Sequence, residues 1–240
     1  VAMLRRITSA LCGLASAGKP LPNFSSIRAA IPFLVERLLE EDVADHSSAC
    51  DALSGFSDGP NERIEAVVST GVLPRLVELL GSADASVQRS ALRAIGNIAS
   101  GNADHTQQVI DANMLPALHK LLQHQSVDVR KESCWLISNI AADTDEQIQQ
   151  LIDMDIFPGI IRILDSDDYI VRKEAAWAVS NATSGGVNAQ KIFLANLGVL
   201  PSLFSLLRYC RENYPQSDLR SANCDYKFGK CLKSVGSCLD

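Results

Sequence analysis

Aromatic side chains make up only 5% of this 240-residue chain, although hydrophobic residues reach 47%. A core is therefore affordable, but it must be built from aliphatic side chains. No apolar run approaches 18 residues, so no transmembrane helix is expected. The seven cysteines contain no C-x-x-C pair, which argues against a structural zinc site. His46, His105, His119 and His124 form neither H-x-x-x-H nor H-E-x-x-H, and neither a Gly-rich phosphate loop nor a G-x-S-x-G elbow is present. Catalysis, a metal and a cofactor are therefore not expected. Basic side chains are outnumbered 22 to 28, giving a net charge of −6. That balance disfavours nucleic acid and anionic membrane as partners and suits a cationic one.

The cysteines that precede the last 35 residues are informative by their neighbours. Cys12, Cys50 and Cys134 lie among apolar residues of helical segments, as reduced, buried thiols of cytosolic or nuclear proteins do. Cys224, Cys231 and Cys238, spaced by seven, lack the close pairing of a metal site. The N-terminal VAMLRRITSALCGL reads as the middle of a helix rather than a signal peptide, because it fits the frame described next.

That frame is a repeat. Pro32, Pro74, Pro116, Pro158 and Pro201 are spaced by 42, 42, 42 and 43 residues, in the contexts AAIP, GVLP, NMLP, DIFP and GVLP. Proline in a first helical turn forfeits no bond the helix would make, so each is expected to open a helix of about ten residues. Ten residues on lie Asp42, Asp84, Ser126 and Asp168, side chains suited to N-caps. From each, a helix of about 15 residues is expected to run to Gly59, Gly101, Asp143 or Gly185, with the glycines as left-handed stops. A short third helix, such as HTQQVIDAN or EQIQQLIDM, precedes the next proline. The unit cannot bury its apolar faces alone, so neighbours must stack. The fold expected is all-α, a right-handed α-solenoid with three helices per 42-residue unit, the long helices lining its concave side. Its units are a partial repeat at 1–18, repeats at about 21–60, 61–101, 102–143 and 144–185, and a partial repeat at 186–207.

On the long helix, Glu132-Ser-Cys-Trp135-Leu-Ile-Ser138-Asn139 recurs as Glu174-Ala-Ala-Trp177-Ala-Val-Ser180-Asn181. At about 100° per residue the acid, tryptophan and asparagine share one sector. The apolar set Cys134, Ile137, Ile140 and Ala141 centres well away from it, so the motif is expected to face outward. Down the repeats the tryptophan column reads Ser9, Asp51, Arg93, Trp135, Trp177, and the asparagine column reads Gly13, Gly55, Asn97, Asn139, Asn181. The acid column is Arg6, Ser48, Ser90, Glu132, Glu174. Only two units carry the full motif, with Asn97 as a partial third.

Each residue type has a use toward one ligand. An amide carries both a donor and an acceptor and can pair with an extended peptide backbone. Indole faces form slots for lysine or arginine stems, with cation–π attraction of about 0.5–2 kcal/mol. The carboxylates receive the cationic heads. Gly101 and Thr106 would add a carbonyl and a hydroxyl nearby. A helical tryptophan is usually packing and a helical asparagine usually a bridge between repeats, but two copies in register favour a peptide-binding face.

ALRAIGNIASG, KESCWLISNI and RKEAAWAVSNATSGG together resemble three successive armadillo repeats of the importin alpha family. The resemblance extends over about residues 1–207, and SDGP at 57–60 also fits. It implies an adaptor for basic nuclear localisation signals, moving between cytoplasm and nucleus. Asn97, Gly101, Thr106, Glu132, Trp135, Ser138, Asn139, Glu174, Trp177, Ser180 and Asn181 fall on the positions of the family's minor site, and Arg93 on the arginine between its two sites. The cargo implied is a protein bearing a basic signal. Importin beta and an export receptor are implied as further partners, though their binding segments are not recognisable here. The chain is expected to begin within the fourth repeat, without most of the major site. Ser9, Gly13 and Asp51 replace the major-site residues that remain. From Arg208 the resemblance stops, in a polar, cysteine-rich segment of net charge +2, which leaves the array at −8. A general armadillo scaffold for acidic partners is the alternative, disfavoured by that charge. Array ends without polar caps are expected to fray and self-associate.

Overall fold

The computed structural model describes residues 2–16, 23–40 and 45–213, which form fourteen α-helices and no strand. They fall into two compact units, Val1–Ala117 and Leu118–Asp240. The first holds α1 (Ala2–Ser16), α2 (Phe24–Leu39), α3 (His46–Ser57), α4 (Asn61–Val68), α5 (Leu73–Leu79), α6 (Ala85–Ala99), α7 (Ala103–Asp111) and the start of α8 (Leu115–Leu121). The second holds the rest of α8, α9 (Val127–Ile140), α10 (Asp145–Asp153), α11 (Ile156–Ser166), α12 (Tyr169–Gly185), α13 (Asn188–Asn196) and α14 (Val199–Asn213). In the first unit α3 packs between α1 and α6; in the second, α9 packs on α12. Helices α2, α5 and α11 back α3, α6 and α12 respectively.

The core is aliphatic, as the scarcity of aromatics requires. On α6, Leu92, Ile95 and Ile98 are fully buried, as are Cys134, Ile137 and Ile140 on α9. Each such aliphatic side chain contributes roughly 1.5–3 kcal/mol of hydrophobic stabilisation. Cys50 and Cys134 are buried free thiols, Cys210 is buried and Cys12 is half-buried. Burial pushes the Cys50 and Cys134 thiols well above the ordinary range, the more so beside nearby carboxylates. Cys224, Cys231 and Cys238, like Asp42, lie outside the described residues.

The turn before each proline explains the repeat and corrects two expectations. Gly71, Asn113, Asp155 and Gly198 all have positive φ, at 72°, 62°, 53° and 99°. These are the residue types that enter the left-handed region at least cost, and they recur at 42, 42 and 43 residues. This column, not Gly101 or Gly185, is the recurrent left-handed stop; of the glycines expected to end the long helices only Gly59 has a positive φ, at 144°. In the AAIP frame the same position is Ala29, which has no positive φ. Nothing halts the helix there, so α2 runs on through Pro32, which stands inside it rather than opening it. Pro74, Pro116, Pro158 and Pro201 do stand in first turns, of α5, α8, α11 and α14.

The N-cap column is realised unevenly. Asp84 accepts from the Ser86 N–H at 2.8 Å, and hydrogen bonding from the Ser86 side chain, together with that N–H, holds its carboxyl below the usual carboxylate range. Ser126 and Asp168 occupy N-cap positions without a side-chain cap bond. A second column, marked by no sequence motif, binds carbonyls at or just beyond the C-terminal ends of α2, α5, α8 and α11. His46 Nε2 pairs with the Glu40 carbonyl at 2.9 Å, and Gln88 Nε2 donates to Leu80 O at 3.0 Å. Arg130 donates to the His124 and Gln125 carbonyls at 2.7 and 2.9 Å, and Arg172 donates to Leu164 O at 2.7 Å. Four residues of three types thus satisfy free carbonyls at one position of the 42-residue frame.

α14 crosses the expected boundary at 207/208 without a break. Arg172 lies 5.1 Å from the centroid of the Tyr209 ring, and Tyr169 and Tyr209 are 6.0 Å apart. No single helix among the described residues is long and apolar enough to span a membrane.

Candidate peptide-binding face

In the second unit the face is built on the neighbouring helices α9 and α12. Trp135, Asn139, Trp177 and Asn181 are all half-buried. The expectation that the motif stands clear of the core needs correction. Glu132, Ser138 and Ser180 are buried, at 4%, 5% and 4% exposure, and the Glu174 side chain is 12% exposed. The reason is the packing of α9 against α12, which covers part of the sector the motif occupies.

That strip carries charge and amide groups in fixed orientations. Asn181 Nδ2 donates to Ser138 O at 2.8 Å. The acceptor is a carbonyl, so the nitrogen of this amide must point at α9 and its oxygen away from that bond. Ser138 Oγ donates to the Trp135 carbonyl at 2.7 Å, so this hydroxyl is spent within α9. Lys131 Nζ lies 3.6 Å from Glu132 Oε1, and Lys173 Nζ 3.7 Å from Glu174 Oε1. Two tryptophans, two carboxylates and a polarised amide therefore share one pair of helices.

The first unit carries the remaining expected residues, each in a different setting. Asn97 Nδ2 donates to Ser54 O at 2.7 Å and Ser54 Oγ at 3.0 Å, the counterpart of the Asn181 bond. Arg93 is exposed. Thr106 is fully buried and donates to Ala99 O at 3.0 Å, so it closes the end of α6 and offers no hydroxyl to a ligand. Gly101 is demanded by close approach: a Cβ there would lie 2.4 Å from His105 Nδ1 and 3.0 Å from Ile64 Cδ1. His105 in turn pairs with Glu65 at 3.1 Å and closes a capping box with Asn102. Ser9 and Gly13 are exposed and Asp51 is half-buried on the corresponding positions of α1 and α3. Among the described residues no three His, Cys, Asp or Glu side chains converge as ion ligands.

Sequence comparison matches the Armadillo/beta-catenin-like repeat at residues 60–100, 102–142 and 144–184, half of the chain. The chain belongs to the armadillo/beta-catenin-like repeat family. Its fold is the all-α armadillo solenoid. A designed armadillo repeat protein solved with a bound (KR)4 peptide is 30% identical, with a TM-score of 0.80 over 96% of this chain and 91% of that one. An engineered protein is 32% identical, with a TM-score of 0.85 over 98% of this chain and 93% of that one. Among natural relatives, importin subunit alpha-1a of Oryza sativa subsp. japonica and importin subunit alpha-B of Dictyostelium discoideum are each 43% identical over 72 residues. Those matches span 30% of this armadillo chain and 14% of each relative.

Proposed function

We propose that this armadillo protein holds an extended, basic peptide on the α9–α12 face and serves as an adaptor for basic nuclear localisation signals. The observation that carries the reading is the repetition of one constellation, Glu132-Trp135-Asn139 and Glu174-Trp177-Asn181, on two helices packed together. In this reading the half-buried indoles flank the aliphatic stem of a lysine or arginine. Glu132 and Glu174 attract its charged head. The outward oxygen of the Asn181 amide accepts from a peptide N–H. Arg93 and Asn97 carry polar groups on α6 of the first unit. Cargo recognition, importin beta and shuttling between cytoplasm and nucleus belong to the same proposal. It is supported by the importin alpha relatives and by the (KR)4 peptide held by the designed homologue.

Calorimetric titration with a lysine- and arginine-rich octapeptide at two salt concentrations tests it. Micromolar or tighter binding that weakens with salt is expected. Trp135→Ala and Trp177→Ala should each cost about 1–3 kcal/mol of binding. Parent-like affinity in a double tryptophan variant that keeps its helicity would overturn the assignment.

A further inference from the structure

The two carboxylates of the face are covered by cations of the same chain. Lys131 and Glu132 are consecutive, and so are Lys173 and Glu174. Consecutive side chains leave a helix about 100° apart and do not ordinarily meet. Each lysine nevertheless curls across its helix to bring Nζ to 3.6 or 3.7 Å from the neighbouring carboxylate. The Glu132 and Glu174 side chains are 6% and 12% exposed, while those of Lys131 and Lys173 are 34% and 39% exposed. The ammonium groups are thus the open half of each pair, and the carboxylates lie beneath. The same geometry appears twice, 42 residues apart.

The equivalent positions in the first unit are Arg5, Ser47 and Arg89, followed by Arg6, Ser48 and Ser90 rather than an acid, so four of the column's five members are cations. There Arg89 turns to Asp51 at 3.5 Å and to Ser90 Oγ at 3.3 Å, and Arg5 lies 3.8 Å from Asp45. A cation in this column takes the nearest anion, and only on α9 and α12 is that anion the groove acid itself.

We propose that Lys131 and Lys173 are built-in competitors for the cations of a basic ligand, and that they set the affinity of the face. The inference rests on the proposed basic-peptide reading. A ligand ammonium or guanidinium must displace a tethered ammonium before it reaches Glu132 or Glu174. An isolated basic residue gains little from that exchange, whereas a run of them, held by two indoles as well, gains at both rungs. The lysines therefore favour densely basic ligands over singly charged ones.

The test compares three forms of the full chain, each titrated calorimetrically with a lysine- and arginine-rich octapeptide at low salt. Lys131→Gln/Lys173→Gln should bind roughly tenfold more tightly than the parent, about the worth of two partly exposed ion pairs. Lys120→Gln/Lys191→Gln changes the net charge equally but leaves both pairs intact, and should stay within about twofold of the parent. Lys131→Arg/Lys173→Arg keeps the tethered charge and should also remain close to the parent. Unchanged or weaker binding by the first variant, with the parent binding, overturns the competition but not the peptide reading. Equal tightening by the Lys120/Lys191 variant overturns it too, since net charge alone would then suffice. Absence of binding by all forms removes the peptide reading and this inference together.

Discussion

Asn181 on α12 donates its amide nitrogen to the backbone carbonyl of Ser138 on α9 at 2.8 Å, 43 residues earlier in the chain. Asn97 does the same to Ser54 at 2.7 Å. One side chain thus ties neighbouring long helices together and fixes which end of its own amide is left for a ligand. Asn181→Ala should therefore cost stability as well as binding. Loss of the bond is worth on the order of 1 kcal/mol, visible as a lower urea midpoint. Peptide affinity should fall in the same variant. A drop in affinity with an unchanged midpoint would separate the two roles and contradict the tie.

The left-handed column makes opposite forecasts at two of its positions. Gly71→Ala places a Cβ at a φ of 72° with nothing within 4 Å to clash with, so its cost is purely conformational, about 1 kcal/mol. Asp155→Gly relieves the same strain at a φ of 53° and should raise stability by several tenths of a kcal/mol, up to about 1. Gly101→Ala has a steric cause instead, with His105 Nδ1 at 2.4 Å, and should cost about 1–3 kcal/mol. Chemical denaturation of the three variants checks the order.

Arg130 adds an ion pair to the carbonyl-capping role of its column. It caps the carbonyls of His124 and Gln125 and pairs with Asp167 at 2.5 and 2.6 Å. The hydrogen bond and charge of Asp167 hold its guanidinium above the ordinary range. The Asp167 side chain is only 8% exposed, so removing its partner leaves a carboxylate in a poor environment. Arg130→Met should cost about 3 kcal/mol, and adding Asp167→Asn should recover part of it. A double-mutant cycle with zero coupling would contradict this.

Asp84 gives a pH dependence of known sign. Its bond to Ser86 lowers the folded-state pKa, so the carboxylate contributes stability above the unfolded value of about 3.9. That contribution is lost as pH falls through the lower folded value. The difference in Tm between the parent and Asp84→Ala should be full at pH 7 and close as the pH falls below about 4. A difference that persists unchanged at pH 2 would assign the stabilisation to something other than the charged cap.

Much of this was legible in the sequence, for identifiable reasons. The prolines announced the period because a missing N–H is tolerated in only a few places. The frame GVLP, NMLP, DIFP already contained the left-handed residue in its first letter, yet glycines at 101 and 185 drew the stop elsewhere. Gly101 is there for His105, a tertiary contact invisible to local pattern. The missed carbonyl-capping column shows the complementary limit. His46, Gln88, Arg130 and Arg172 share a task but not a residue type, so no motif marks them. At the face, a helical wheel separated the Trp-Asn sector from the core but could not show that a second long helix would cover Glu132 and Ser138.

The chain's two tryptophans, Trp135 and Trp177, both lie on the α9–α12 face, so selectively excited tryptophan fluorescence reads that face alone. Titration with a lysine- and arginine-rich octapeptide should produce a saturable change in tryptophan emission, with the Kd found by calorimetry. A glutamate-rich octapeptide should leave the emission unchanged. Calorimetric binding of the basic peptide with no change in emission would place it away from Trp135 and Trp177, and would contradict the proposed site.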